Sequence, residues 1–205
     1  MKGKGLFLDL DGTLADSLIP LKQVYFSFLD SYGISGNEVE FQQLNGLPFS
    51  DIITVLRKAH NLRDDVAKLS DRYSAMVQKA HALAPPAAGA RTLLDCARSK
   101  GWKVAVVTSA KRTWAAEWLE HNAFAVDAVV GGDDVSAGKP SPEPYQLALS
   151  RTHCAPAQSL AVEDSRNGAC AALAAGLSTW VIGSRPDWPD GVNVVRNLNE
   201  LIERL

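Results

Sequence analysis

The stretch GLFLDLDGT, residues 5–13, joins a short apolar run to a polar turn. Its first half predicts a buried β-strand, and Asp9 and Asp11 follow where that strand ends. Similar apolar runs occur at residues 103–108, 127–131, 159–162 and 178–182, and segments with helical spacing separate them. Strands that are apolar on both faces and alternate with helices indicate an α/β fold with a doubly wound parallel sheet.

An insertion interrupts this alternation between the first and second strands. It has helical periodicity at residues 18–32, 38–44, 51–60 and 64–83, with no convincing strand. The Pro-rich segment 84–87 is typical of a stiff connector returning to the sheet. We therefore predict an α/β core domain of residues 1–15 and 85–205 with an inserted helical cap domain of residues 16–84. The insertion is either a lid over a site or a plain helical subdomain, and the pattern leaves both open.

Composition excludes several classes of function. The chain has 205 residues, 46% of them apolar, and a net charge of −2 without clustered Lys or Arg, so we expect no nucleic-acid partner. No apolar run approaches 18 residues, so we expect no membrane span or membrane partner. Three widely spaced cysteines, Cys96, Cys154 and Cys170, indicate reduced thiols and a cytoplasmic location. Monomer and homodimer remain open.

Polar residues follow four of the predicted strands, where open parallel sheets bind their ligands. Asp9 and Asp11 are two residues apart and share one face, where their carboxylates repel unless a cation lies between them. An oxygen-only set of ligands without His or Cys suits Mg²⁺. Taken alone, each residue also fits a turn, a helix cap or a solvated surface. The strand-end residues are Asp9, Asp11, Gly12, Thr13, Thr108, Ser109, Lys139, Glu163, Asp164 and Ser165.

Four motifs occur in order: DLDGT at 9–13, VVTS at 106–109, GKPSP at 138–142 and EDSRNG at 163–168. Together they resemble the four motifs of the haloacid dehalogenase-like phosphatases, a family with a helical cap between the first two. The resemblance covers essentially the whole chain. It implies that Asp9 is a nucleophile forming an aspartyl-phosphate. It also implies that Asp11 is the general acid for the leaving alcohol and then the general base for water.

The same resemblance implies a set of metal and phosphate ligands. Mg²⁺ would be held by Asp9, the backbone carbonyl of Asp11 and Asp164, with Glu163 either a further ligand or beside the ligands. The phosphoryl group would be held by Thr108, Ser109, Lys139 and the turn of Gly12 and Thr13, whose backbone N–H groups could face it. The catalytic set is then Asp9, Asp11, Thr108 and Lys139.

Departures from the family's motifs indicate which reaction to expect. Asp11 argues against the branches that cleave carbon–halogen and carbon–phosphorus bonds, since those typically lack it. The similar β-phosphoglucomutases usually carry Arg where Phe49 stands and His near Pro20 and Leu21. We therefore favour an Mg²⁺-dependent phosphatase acting on a small phosphorylated metabolite, such as a sugar phosphate or phosphoglycolate. A phosphomutase is the alternative, and a non-catalytic binding domain of the same fold is a third possibility.

Substrate contacts are expected from the cap loop at residues 44–50, above all from Asn45, Gly46 and Phe49. The alternative for Phe49 is packing inside the cap. Lys111 and Arg112, just beyond Thr108, are candidates for an anionic part of the substrate, or are simply solvated. His60, His81, His121 and His153 follow no strand of the motif set, so surface or packing roles are expected for them.

Overall fold

The structure is a computed structural model, and it describes residues 3–47 and 49–204, with only the backbone of Ser50. Within this part of the chain, six strands and nine α-helices are formed. The strands are β1 (Gly5–Leu8), β2 (Lys103–Val107), β3 (Ala128–Val130), β4 (Leu160–Glu163), β5 (Ser178–Ile182) and β6 (Asn193–Val195). The helices are α1 (Leu18–Asp30), α2 (Glu38–Leu44), α3 (Phe49–His60), α4 (Val66–Leu83), α5 (Ala90–Ser99), α6 (Arg112–His121), α7 (Glu143–Thr152), α8 (Arg166–Ala174) and α9 (Leu198–Ile202).

All the strands pair in parallel in the order β3-β2-β1-β4-β5-β6. Alternate residues of β1 face opposite sides of the sheet, as its pleat requires. Leu6 and Leu8 pack in one cluster with α5, α6 and α9, whereas Phe7 packs in a second cluster with α7 and α8. The prediction of a doubly wound parallel sheet covered on both faces is confirmed.

The last strand and the last helix, β6 and α9, were not predicted from the sequence. Strand β6 has three residues, and Asn193 and Val194 are exposed at the sheet edge. Helix α9 has five residues. Elements this short span too few hydrophobic repeats for periodicity to reveal them. None of the helices in the described residues combines the length and the apolar character that crossing a bilayer requires.

Helices α1–α4 lie between β1 and β2 in the chain and share an apolar cluster built around Tyr25, Phe28 and Leu56. Trp114 of α6 joins this cluster from the sheet side. The two connectors lie side by side, because Asp16 N–H donates to Pro85 O at 2.8 Å and Ala87 N–H donates to Leu14 O at 2.9 Å. The observed helices match the predicted helical insertion, while its division from the core at residues 16–84 stays a prediction.

Candidate active site

The carboxyl ends of two adjacent strands, β1 and β4, bring the acidic motif residues together. Asp9 follows the central strand β1, and β1 pairs with β2 on one side and with β4 on the other. Glu163 and Asp164 lie at the end of β4. One carboxylate oxygen from each of Asp9, Glu163 and Asp164 lies within 4.8 Å of the others. Residues far apart in sequence thus form one compact acidic cluster.

Lys139 is the cation at the centre of this cluster, and its side chain is only 1% exposed. Its ammonium donates to Asp9 Oδ1 at 2.6 Å, to Glu163 Oε1 at 2.5 Å and to Val107 O at 2.9 Å. Burial alone would lower the pKa of Lys139, but Asp9 and Glu163 raise it above its usual range. Lys139 is therefore a fixed, permanently charged group beside the Asp9 carboxylate.

Glu163 is fully buried and holds Lys139 in place. Its Oε1 also accepts a hydrogen bond from Tyr145 Oη at 2.5 Å, and its Oε2 accepts one from Ser165 Oγ at 3.2 Å. Gly168 packs so closely that an added Cβ would lie 2.0 Å from the Glu163 carboxyl carbon. Both oxygens of Glu163 thus have protein partners. This arrangement favours a position for Glu163 beside the residues that would hold a metal, and not as a ligand itself.

Asp9 is almost completely buried, with 5% of its surface exposed. Its Oδ2 atom is buried and has no hydrogen-bond partner. Burial raises the pKa of Asp9 well above its usual range, Lys139 lowers it, and the carboxylates of Glu163, Asp164 and Asp11 raise it further. Burial and the neighbouring carboxylates thus disfavour the ionised form of Asp9 that a nucleophile needs.

Asp164 lies opposite Asp9. Burial, followed by the neighbouring charge of Glu163, raises the pKa of Asp164 to about 7. Asn45 Nδ2 donates to Asp164 Oδ2 at 3.1 Å and so links the α2 end of the insertion to the sheet. Gly12 adopts φ +80°, and a Cβ there would lie 2.3 Å from Asp164 Oδ2. Only glycine both tolerates this backbone conformation and leaves room for the carboxylate.

The cluster fits a divalent cation of the magnesium type. Its donors are all oxygens, Asp9 Oδ2 lacks a partner, and burial followed by the neighbouring carboxylates raises the pKa values of Asp9 and Asp164. Hard cations such as Mg²⁺ take oxygen ligands of this kind and suppress the repulsion between them. Asp9 and Asp164 are the side chains that would hold it, with Glu163 behind them.

Asp11 contacts Ser17 and His81, which belong to the two ends of the insertion. Ser17 Oγ donates to Asp11 Oδ1 at 2.6 Å, and His81 Nε2 lies 2.8 Å from the same oxygen. Burial raises the pKa of Asp11, but His81 and Ser17 together lower it below its usual value. Burial lowers the pKa of His81, but Asp11 raises it overall. The contact thus favours the ionised forms of both groups.

His81 is buried, as a packing role requires, but it also contacts a site residue, which was not expected. It lies in the last turn of α4, just before the second connector, and is 2% exposed. Its Nδ1 atom is buried without a hydrogen-bond partner. One sequence signal points to it: His81 lies just before the Pro-rich connector, close in the chain to the place where the insertion rejoins the core.

Two backbone N–H groups of the turn after β1 donate hydrogen bonds within the turn itself. Gly12 N–H donates to Ala15 O at 3.0 Å, and Thr13 N–H donates to Leu10 O at 3.3 Å. These two amides are thus engaged inside the turn, whereas we expected them to face a phosphate. Thr108 accepts a hydrogen bond from Ala110 N–H at 3.0 Å, and Ser109 Oγ donates to Gly46 O at 3.3 Å.

A cavity of about 100 Å³ opens above the cluster, between the sheet edge and the helical insertion. Its floor carries the polar groups of Asp9, Asp11, Thr108, Ser109 and Asp164. Of the expected substrate residues, Asn45, Gly46 and Phe49 line it. Phe49 stacks on Tyr73 with ring centroids 5.8 Å apart and meets Trp114 edge-on at 5.5 Å. Pro48, in the same predicted loop, lies outside the described residues.

The structure does not bring Lys111 and Arg112 to this cavity, because both are exposed and have other partners. The Lys111 ammonium lies 5.1 Å from the Trp114 ring centroid and 3.4 Å from Ser74 Oγ. The Arg112 guanidinium lies 3.6 Å from Asp134, and its backbone N–H donates to Asp133 at 2.7 Å. Both residues lie at the start of α6, outside the described lining of the cavity.

A wider groove of about 880 Å³ lies beside the cavity, between the insertion and the loop after β5. Asn45 and Asp164 line both spaces, so their hydrogen bond forms the border between them. Solvent in the groove thus reaches the Asp164 side of the acidic cluster.

The four motif segments thus meet at one sheet edge with a buried lysine, an acidic cluster and a small cavity. The chain also matches the family described as haloacid dehalogenase-like hydrolase over residues 6–182. The chain belongs to this family of hydrolases. The resemblance found in the sequence is confirmed, and the expectation of an enzyme of the phosphatase type agrees with the relatives reported next.

Two curated relatives of this hydrolase are phosphatases. One is the phosphorylated carbohydrates phosphatase of Thermotoga maritima, 29% identical over 177 residues, covering 85% of this chain and 82% of the relative. The other is hexitol phosphatase A of Escherichia coli, 29% identical over 192 residues, covering 92% and 87%. Among solved structures, CbbY from Rhodobacter sphaeroides with bound phosphate superimposes with a TM-score of 0.85 at 22% identity, covering 97% and 96%, which supports the fold.

Proposed function

We propose that this haloacid dehalogenase-like hydrolase is an Mg²⁺-dependent phosphatase that cleaves a small phosphate monoester through an aspartyl-phosphate on Asp9. The observation that carries the proposal is the buried Asp9, which lines the cavity, is paired to Lys139 through one oxygen and has no partner at the other. A phosphorylated metabolite of the sugar phosphate type is the proposed substrate, in keeping with the names of the two relatives.

In the first half-reaction, a carboxylate oxygen of Asp9 attacks phosphorus and the bond to the leaving alcohol oxygen breaks. Lys139 neutralises charge on Asp9 and on the transferring oxygens, and Thr108 contributes a hydroxyl at the same edge. Positioning and charge neutralisation supply most of the rate in phosphoryl transfer. A bound Mg²⁺ supplies Lewis-acid stabilisation of phosphoryl oxygens and keeps Asp9 ionised.

Asp11 handles the protons in both half-reactions. The proton for the leaving alkoxide comes from the pair of Asp11 and His81, which together hold one proton when the imidazolium faces the carboxylate. In the second half-reaction, Asp11 as carboxylate accepts a proton from the water that attacks the aspartyl-phosphate. Phosphate is released and Asp9 is restored.

Hydrolysis is favoured over the phosphomutase alternative. A mutase must hold a second phosphate while the first reacts, which calls for fixed cations in the part of the cavity that faces the insertion. Among the described lining residues, that part is apolar apart from Asn45, Tyr73 and His81. The proposed cap, residues 16–84, would serve to exclude bulk water from the phosphoryl group. Three unpaired cysteines fit the cytoplasmic location that we propose.

The test is phosphate release from p-nitrophenyl phosphate with Mg²⁺ and with EDTA. We expect turnover with Mg²⁺ only, and loss of turnover by at least about 10³-fold in Asp9→Asn, because removal of a covalent nucleophile abolishes the reaction path. The matched control is Asp95→Asn, an exposed carboxylate on α5. Wild-type turnover in Asp9→Asn would contradict the proposal.

A second test separates hydrolysis from isomerisation. Incubation with β-glucose 1-phosphate and a trace of the bisphosphate should yield free phosphate and no glucose 6-phosphate. Efficient formation of glucose 6-phosphate would favour the mutase. Absence of turnover on any phosphate ester of a broad panel would favour a binding domain of this fold.

A further inference from the structure

The wall of the cavity that faces the acidic cluster is largely apolar, and none of its described side chains carries an unpaired charge. It consists of side chains from the insertion and α6, and among its described members only Asn45, Tyr73 and His81 are polar. The apolar members are Leu21, Leu44, Leu47, Phe49, Ile52, Val77 and Trp114. The sequence of residues 44–50, LNGLPFS, contains no charged side chain.

Two of the three polar side chains of this wall contact carboxylates of the site. Asn45 donates to Asp164 at 3.1 Å, and His81 lies 2.8 Å from Asp11. No Lys or Arg lines the cavity among the residues that the structure describes. Lys111 lies next to two members of this wall but is exposed, and its ammonium contacts the rings of Trp114 and Phe49 and lies 3.4 Å from Ser74 Oγ.

An anionic leaving group would therefore be buried without a counter-charge. Moving a carboxylate or a second phosphate from water into an apolar site costs free energy that only pairing can offset. Three carboxylates on the floor of the cavity would repel it further. Apolar and aromatic side chains, in contrast, accept the C–H surface of a neutral alcohol at no such cost.

The size of the cavity also limits the class of leaving group that it can hold. At about 100 Å³ it is far smaller than the roughly 300–1,000 Å³ of sites for drug-sized ligands, so a nucleotide does not fit. A compact alcohol of a few carbon atoms suits it better.

Resting on the proposed phosphatase function, we propose that this enzyme selects monoesters whose leaving group is a compact, uncharged alcohol, and discriminates against leaving groups that carry a carboxylate or a second phosphate. Esters of short polyols and neutral sugars belong to the accepted class. Esters of hydroxy acids, phosphoglycolate among them, belong to the rejected class, which narrows the substrate range expected from the sequence.

Three matched pairs of substrates test this selectivity, each differing by a hydroxymethyl group against a carboxylate. They are 2-hydroxyethyl phosphate against phosphoglycolate, glycerol 3-phosphate against 3-phosphoglycerate, and sorbitol 6-phosphate against 6-phosphogluconate. We expect kcat/KM to favour the neutral member by at least about tenfold, since an unpaired charge is the only difference. Equal or better use of the anionic members would overturn the inference.

Substitutions in the wall test whether its apolar character causes this selectivity. Phe49→Arg places a cation in the cavity and should reduce the preference for neutral members by about tenfold or more, whereas Phe49→Leu should preserve it. Leu47→Arg repeats the test at a second position in case Phe49→Arg does not fold. Lys111→Met should leave the ratio unchanged; if it instead abolishes activity on the anionic members, Lys111 binds them and the inference is wrong.

The outcomes separate this inference from the proposed function. If p-nitrophenyl phosphate and all six esters release no phosphate, the phosphatase proposal itself fails. If p-nitrophenyl phosphate is hydrolysed but no neutral member is, the function stands and the proposed substrate class is wrong.

Discussion

His81 Nε2 lies 2.8 Å from Asp11 Oδ1, although the two residues are separated by the whole helical insertion. Ser17, at the first connector, donates to the same oxygen at 2.6 Å. Both ends of the insertion thus contact the residue that we assign to proton transfer. This geometry makes His81 a positioning residue for Asp11.

Replacement of His81 should lower kcat more than it raises KM. We expect His81→Ala to reduce kcat by about 10–100-fold, because Asp11 loses its orientation and its proton partner, while phosphate contacts at Lys139 and Thr108 persist. His81→Gln retains a donor near Asp11 and should recover part of the loss. His121→Ala, at an exposed position, is the control. An unchanged kcat in a folded His81→Ala protein would exclude this role.

Gly168→Ala should destabilise the protein although it lies in helix α8. At an ordinary helical position this substitution stabilises by about 1 kcal/mol. Here the added Cβ would overlap the buried Glu163 carboxyl, and we expect a net loss of about 1–3 kcal/mol in the free energy of unfolding. Gly3→Ala, where the nearest atom is 3.9 Å away, is the control. Urea denaturation measures both, and a stabilised Gly168→Ala would refute the close packing.

Tyr145→Phe should remove a buried donor from Glu163. The Tyr145 hydroxyl donates to a carboxylate that is fully buried and also binds Lys139. We expect a loss of about 1–3 kcal/mol in the free energy of unfolding, as for other buried hydrogen bonds to charged groups. Tyr32→Phe removes a comparable bond to Asp64 at the surface and should cost less than about 1 kcal/mol. Equal effects of the two substitutions would contradict the inference that the Tyr145 hydroxyl stabilises the buried Glu163 carboxylate.

The sequence allowed prediction of the parts of the site that follow strands. Asp9, Thr108 and Asp164 each follow a long apolar run, and parallel pairing carries them to one edge by a rule that holds for any such sheet. The four motifs also made Lys139 recognisable, although no periodicity indicates that its ammonium is buried between Asp9 and Glu163.

The contributions of the insertion were not predictable in the same way. His81 reaches Asp11 only because α4 ends beside the first connector, and that packing depends on the tertiary arrangement of four helices. For the same reason, the charges of Lys111 and Arg112 suggested substrate contacts, but the orientation of α6 gives both residues other partners. Side chains on a helix surface are placed by packing, which local sequence does not specify.

Removal of metal should make stability depend on pH through Asp164. Its pKa is raised to about 7 from the ordinary value near 3.8, chiefly by burial and by the charge of Glu163. Between these values the folded protein binds more protons than the unfolded chain, so the free energy of unfolding of the metal-free protein falls as the pH rises through this window.

Bound Mg²⁺ requires the carboxylate and therefore displaces this proton. We expect the rise in melting temperature on adding Mg²⁺ to be small near pH 5 and to increase until the pH passes about 7. Thermal melts in EDTA and in Mg²⁺ across this range measure it. Asp164→Asn should lose both the Mg²⁺ effect and much of the pH dependence, whereas Asp95→Asn should retain them. A rise in melting temperature that is equal at every pH would show that the proton on Asp164 is not linked to the metal.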